Sequence, residues 1–221
     1  MLVPVGSVEQ HGPHLPLDTD TAIAVAVAQR AADLLADASI LVAPAISYGA
    51  SGEHQAFPGT SSIGSEVLHQ VVVELTRSMR TWSSRVVFVN AHGGNLSALI
   101  AAVSQLVAEG HEVSWVPCAT EEVDAHAGFT ETSLMLYLQP WAVRLDLAEA
   151  GNTAPLRQIL PDLVEGGVAA VSVNGVLGDP AGASTDEGER VLLRMVSEVA
   201  EAIRDGDTDA RGRLRVGERS R

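Results

Sequence analysis

Two short apolar runs, Leu2 to Val5 and Val86 to Val89, each break off into a polar, Gly-bearing turn that carries a histidine and then into an Ala/Val/Leu helical pattern. An apolar run of four or five residues without alternation is what a strand buried on both faces requires, and such strands belong to parallel sheets covered by helices. The rest of the chain keeps this rhythm. Helical patterns over Thr19 to Leu35, Gly64 to Thr81 and Asn95 to Glu109 are interleaved with strand patterns at Ile40 to Ala43, Arg85 to Asn90 and Glu112 to Pro117. The alternation predicts an α/β fold, a three-layer α/β/α sandwich around a mainly parallel sheet. Thr130 to Leu138 reads as a helix and Ser184 to Arg204 as a long amphipathic one, while residues 156–174 suit helix or strand.

A chain of 221 residues with 46% hydrophobic content can bury one substantial core, so residues 1–205 are expected to form a single domain. Aromatic residues make up only 4%, which leaves Ala, Val, Leu and Ile to fill that core. Beyond Asp205 the sequence turns to Asp, Gly and Arg and cannot repay the entropy of ordering, so residues 206–221 are expected to be a flexible polar tail. A net charge of -14 argues against nucleic acid or an anionic membrane surface as partner. Cys118 has no second cysteine to pair with, no secretion signal is visible, and the apolar run Ala22 to Ala28 falls far short of the roughly 20 residues that span a bilayer. A cytoplasmic location is therefore expected.

The chemistry gathers at the predicted strand ends. Glu9 and His11 lie two apart after the first strand, a spacing that puts both side chains on one side of an extended segment. Asp20 stands at the start of the next helix, within reach of the same rim, where ligands of open parallel sheets collect. His92 follows the strand Val86 to Val89 in the same way, and Gly93 and Gly94 allow close approach of the backbone. Asn95 is expected to cap the following helix, leaving N–H groups near Gly93 to Asn95 to hold a developing oxyanion. His126 and Glu131 form a third cluster, and Glu53 and His54 sit in a long Gly/Ser/Pro-rich loop, residues 47–62, of the length that functional loops reach.

Taken singly, each of these residues has a plainer explanation. Glu9 would be a surface carboxylate, His11 a turn residue, Asp20 and Glu131 partners of a helix dipole, His92 a satisfied strand-end histidine, and Glu53 and His54 a polar loop facing water. What favours a site is that several ligand-type residues occupy strand ends and helix starts together. The spacing contains no zinc-protease His-Glu-x-x-His motif and no cysteine pairs.

The segment VPVGSVEQHGPHLPLDTD, from Val3 to Asp20, resembles the opening motif of the creatininase family of amidohydrolases. SYGASGEHQAFPGT from Ser47, VNAHGGN from Val89 and HAGFTETSLML from His126 extend the resemblance in the same order, across most of residues 3–136. It implies a creatininase-like fold and two divalent metal ions per subunit. Glu9, Asp20 and His92 would hold one, and His11, Asp20 and a further carboxylate the other, with Asp20 bridging. Creatininase itself carries that further carboxylate two residues after the strand-end histidine, where this chain has Gly94, so Glu131 is assigned instead. His126 matches the family's general acid, and Glu53, His54, Gly93, Gly94 and Asn95 would line the substrate. Oxygen and imidazole ligands without a thiolate suit Zn, Fe(II) and Mn, with Zn or Fe(II) favoured. The segment TEEVDAHAG from Thr120 lacks the tryptophan-bearing loop that encloses creatinine. Within the family the compact chain is most similar to a peptidase branch, which implies release of a C-terminal Val-Tyr-derived dipeptide from a modified precursor peptide during redox-cofactor biosynthesis, by a homo-oligomer. A creatinine-like cyclic amide or formamide hydrolase is the alternative, and a non-catalytic metal-binding protein on the same fold a second.

Overall fold

The computed structural model describes residues 1–119 and 124–215. Three parallel strands, β1 (Leu2–Val5), β2 (Val86–Asn90) and β3 (Val113–Pro117), lie in the order β1-β2-β3, with Val3 opposite Phe88 and Phe88 opposite Trp115. β1 and the first four residues of β2 and β3 are buried throughout, which explains why they do not alternate. The strand expected at Ile40 to Ala43 is reduced to isolated parallel bridges, Leu2 with Val42 and Val5 with Ile46, which nevertheless cover the outer edge of β1.

Two helical layers enclose the sheet. On one face lie α1 (Thr19–Leu35), α4 (Phe129–Leu138) and α6 (Thr185–Asp205), whose Val27, Ala28, Leu134, Leu192 and Val196 meet Val87 and Val89. On the other face α2 (Gly64–Met79) and α3 (Leu96–Ala108) bring Leu68, Val72, Leu99 and Leu106 against Val3, Val5 and Phe88. Each such fully buried Val or Leu contributes roughly 1.5–3 kcal/mol, and the small Ala residues of α1 let the helices sit close. The sandwich is therefore the architecture that the alternation of apolar segments implied. The 156–174 segment resolves into α5 (Leu156–Gly166) and a 3-10 turn, Val168–Ala170.

Helix ends reflect local chemistry. The Ser184 hydroxyl accepts from the Glu187 N–H at 3.2 Å to start α6, and Gly206 ends it in the left-handed conformation. Residues 206–215 do not form the detached tail expected of them. Trp115 N–H donates to Gly212 O at 3.0 Å, Leu214 N–H donates to Trp115 O at 2.8 Å, and Leu214 is fully buried. One large apolar residue in a polar stretch, plus the free edge of β3, is enough to order this segment. Residues 216–221, the remainder of that expected tail, and residues 120–123 at the start of TEEVDAHAG lie outside the described residues.

Candidate metal centre

The carboxyl ends of β1 and β2 and the first turn of α1 meet at one point, because Gly6 lacks the side chain that would overlap Thr21 and so lets the end of β1 touch α1. The loop between them closes with a hydrogen bond from Glu9 N–H to Leu17 O at 3.1 Å. Glu9, His11, Asp20 and His92 converge there, all buried. Glu131 joins them from the first turn of α4, fixed by a bond from Ala127 N–H to its Oε2 at 2.5 Å, and retains 21% side-chain exposure.

Tautomers can be assigned from the hydrogen-bond network. Nε2 of His92 faces Ala50 O at 3.2 Å and a Glu53 carboxylate oxygen at 3.3 Å; both only accept, so Nε2 carries the proton. In the neutral ring its Nδ1 then presents a lone pair to Glu9 Oε2 at 3.2 Å and Asp20 Oδ2 at 3.3 Å. His11 repeats the arrangement with its nitrogens exchanged: Nδ1–H donates to Glu9 O at 3.1 Å, and Nε2, bare when the ring is neutral, faces Asp20 Oδ1 at 3.2 Å and Glu131 Oε2 at 3.8 Å.

Gln10, between Glu9 and His11, sets the remaining two histidines. Its side-chain amide donates to Gly175 O at 3.0 Å and to His54 Nδ1 at 2.8 Å, which uses both of its protons. His126 Nε2 must then donate to Gln10 O, at 2.8 Å, leaving its Nδ1 lone pair 3.7 Å from Glu9 Oε1. His54 instead turns an N–H toward the same oxygen, at 3.4 Å. The rings of His11 and His54 lie tilted against His126, with centroids 4.3 and 4.4 Å away.

Lone pairs facing carboxylates repel unless a cation lies between them. Glu9 Oε1 is buried without a hydrogen-bond partner among the described residues. In the metal-free protein a proton supplies the charge: burial opposes protonation of His11, but Asp20, Glu131 and Glu9 together push its pKa up to about 10. His92 is also raised, burial being outweighed by Glu9, Asp20 and Glu53. Asp20 is held well below the usual carboxylate range despite burial, through His11 and His92. His126 moves the other way, lowered by burial and by His11 and His54, so it is neutral at pH 7. Burial, partly offset by His11, raises Glu131 to about 7.

The oxygen and imidazole donors suit a divalent cation. Potential ligand atoms within 4.8 Å of one another group as Glu9, Asp20 and His92, as His11, His126 and Glu131, and as Glu9, His54 and His126. The first two groups are linked by Asp20, whose two oxygens face different histidines.

Other sequence expectations fare differently. Asn95 stands at the N-cap position of α3, but its side chain makes no capping hydrogen bond. It is fully buried, donates to Gly6 O and Asn90 Oδ1 at 3.0 Å each, and accepts from Ala50 N–H at 2.8 Å. It is a strut between the two strand ends and the 47–62 loop, with no amide group left for a substrate. Glu53 and His54 do reach the cluster, on a 3-10 turn, Gly52–His54. Ser7, Gln10 and Asn90 were not singled out from sequence. Ser7 Oγ lies 2.7 Å from Glu9 Oε2 and 2.6 Å from Asp20 Oδ2, and Asn90 Nδ2 donates to His92 O at 2.7 Å. The available signal was that each is a polar residue inside a ligand-bearing segment. His14 is buried elsewhere, against Thr132 Oγ1 at 2.9 Å, and His111 lies 3.7 Å from Glu109.

A helix-covered parallel sheet with carboxylates and histidines crowded at its carboxyl rim is the form of a metal-dependent amidohydrolase, and the chain belongs to the creatininase family, whose pattern, described as creatinine amidohydrolase, matches residues 1–203. The Mycolicibacterium smegmatis protein named mycofactocin precursor peptide peptidase is 53% identical over 217 residues, covering 97% of this chain and 88% of that one. Among solved structures, a creatininase variant of the Zn-Zn type superposes with a TM-score of 0.76 at 28% identity, covering 92% of this chain and 89% of that one. A manganese creatininase gives 0.75 at 28% identity, with the same 92% and 89% coverage.

Proposed function

We propose that this chain is a dinuclear metal peptidase that cleaves the modified mycofactocin precursor peptide, releasing its C-terminal Val-Tyr-derived dipeptide. The substrate follows the similarity to the peptidase of M. smegmatis over nearly the whole chain. The observation that carries the chemistry is Asp20, one oxygen 3.2 Å from His11 Nε2 and the other 3.3 Å from His92 Nδ1. Glu9, Asp20 and His92 would hold one divalent ion, and His11, Asp20 and Glu131 the second. Zn or Fe(II) is favoured, and Mn also suits the donors.

When bound, two such ions would supply a polarised scissile carbonyl and a water of near-neutral pKa. His126 does the remaining proton work. Its Nδ1 lone pair faces the cluster and its Nε2 is occupied by Gln10 O, so it first accepts a proton from the attacking water and then passes it from Nδ1 to the leaving nitrogen. Neutrality at pH 7 suits it to accept first.

We place the reaction in the cytoplasm, since the chain has a single cysteine and, among the described residues, no helix long and apolar enough to cross a membrane. A homo-oligomer would cover exposed apolar side chains such as Trp141 and Val173. The deciding experiment incubates zinc-loaded protein with modified precursor peptide, creatinine and a formamide, with products identified by mass spectrometry. Loss of the dipeptide alone is expected; turnover of creatinine or the formamide with the peptide left intact would replace this reading with the cyclic-amide or formamide one.

A further inference from the structure

His92 is gripped on the side facing away from Glu9 and Asp20. Its Nε2–H points into a niche whose walls are Ala50 O, 3.2 Å away, and Glu53 Oε1, 3.3 Å away. The niche exists because residue 94 has no side chain. A Cβ there would overlap Ala50 O, Glu53 Oε1 and His92 Nε2 together. Gly94 is not among the glycines with positive φ, so its backbone conformation does not call for glycine. Space for the Glu53 carboxylate does.

We propose that Glu53 is a positioning residue for His92 and that Gly94 is the opening that admits it. The carboxylate accepts from Nε2–H, fixes the ring and its tautomer, and so keeps the Nδ1 lone pair on Glu9 Oε2 and Asp20 Oδ2. Without it, Ala50 O alone would hold the ring, and a rotated imidazole would lose its alignment with both carboxylates. Carboxylates that orient metal-bound histidines in this way change metal affinity by about 10–100-fold. Glu53 meets the cluster through His92, at the ring nitrogen away from Glu9 and Asp20, so its effect is confined to the ion held through His92.

The positioning role rests on the two-metal reading, and its test separates the two. Zinc stoichiometry and stepwise affinity are measured by competition with a chromophoric chelator for the wild type, Glu53→Ala, Glu53→Gln and His92→Ala, and for the double variant of Glu53→Ala and His92→Ala. The wild type is expected to take two zinc ions. Glu53→Ala weakens one of them about 10–100-fold, and Glu53→Gln, which keeps an acceptor oxygen, recovers most of that loss. The Glu53→Ala effect vanishes in the His92→Ala background, because the interaction runs through that ring. Wild-type zinc affinity at both sites of Glu53→Ala, with or without a raised KM, overturns the positioning role and leaves the two-metal reading intact. A wild type that binds no zinc overturns both.

Discussion

Around His92, the two carboxylates that face its Nδ1 come from the loop after β1 and the first turn of α1, and both are buried. Around His11 the arrangement is looser: Asp20 is shared, but Glu131 arrives from α4, 3.8 Å away and 21% exposed. Although part of its side chain reaches solvent, desolvation beside the cluster raises Glu131 to about 7, so near neutral pH a proton competes for it, whereas Asp20 is ionised well below that range. The inner half of the cluster is thus built before any ion arrives, and the outer half is completed by one. An ion should fill the inner half first.

The largest effect that would test this contrast comes from Asp20, the one residue common to both halves. Asp20→Ala is expected to lose both zinc ions and all detectable hydrolysis. Glu131→Gln should keep the inner ion, lose the outer one, and be inactive. Zinc stoichiometry by elemental analysis decides it: two ions retained in Asp20→Ala would refute the bridging assignment, and none retained in Glu131→Gln would mean that the halves do not fill independently.

A smaller loss is expected at His126, which stands beside both halves and lies outside the proposed ligand set. His126→Ala should bind two zinc ions while turnover drops by about 10²–10⁴-fold, the usual contribution of a positioned acid-base group. Turnover at the parental rate with zinc bound normally would leave no proton-transfer role for this residue.

The same contrast explains what could be read from the amino-acid sequence. Elements were legible where burial imposes a period: Thr19–Leu35 forms the helix its Ala/Val pattern requires, and β2 the strand required by Val86 to Val89. The inner half was legible because Glu9 and His92 come soon after such strands and Asp20 stands at the start of such a helix. Gln10 and Ser7 were not, since their importance lies in which partner each polar atom meets across the fold. His54, 44 residues from Gln10, has its tautomer set by that side chain. Asn95 was misjudged for a related reason: a helix-start asparagine ordinarily caps, but here the gap between Gly6 O and Ala50 N–H claims both ends of its amide. The order of residues 206–215 depends on Leu214 finding a free strand edge, which composition does not register.

The smallest effect is a change in stability with pH, and its sign follows from His11. The folded pKa of about 10 lies above the ordinary 6.5, so the metal-free protein binds this proton more tightly folded than unfolded. That stabilisation is fully present below about pH 6.5 and is lost as pH rises through about 10. His92, also raised, acts in the same direction. The melting temperature of metal-free protein should therefore fall steadily between pH 7 and 10. Zinc replaces those protons, so the saturated protein should lose less over the same interval, and zinc affinity should strengthen with pH because binding releases protons. If the metal-free protein melted at one temperature across this range, the inward-facing nitrogens of His11 and His92 would not be holding protons between the carboxylates, and neither half would be poised for a cation as its geometry implies.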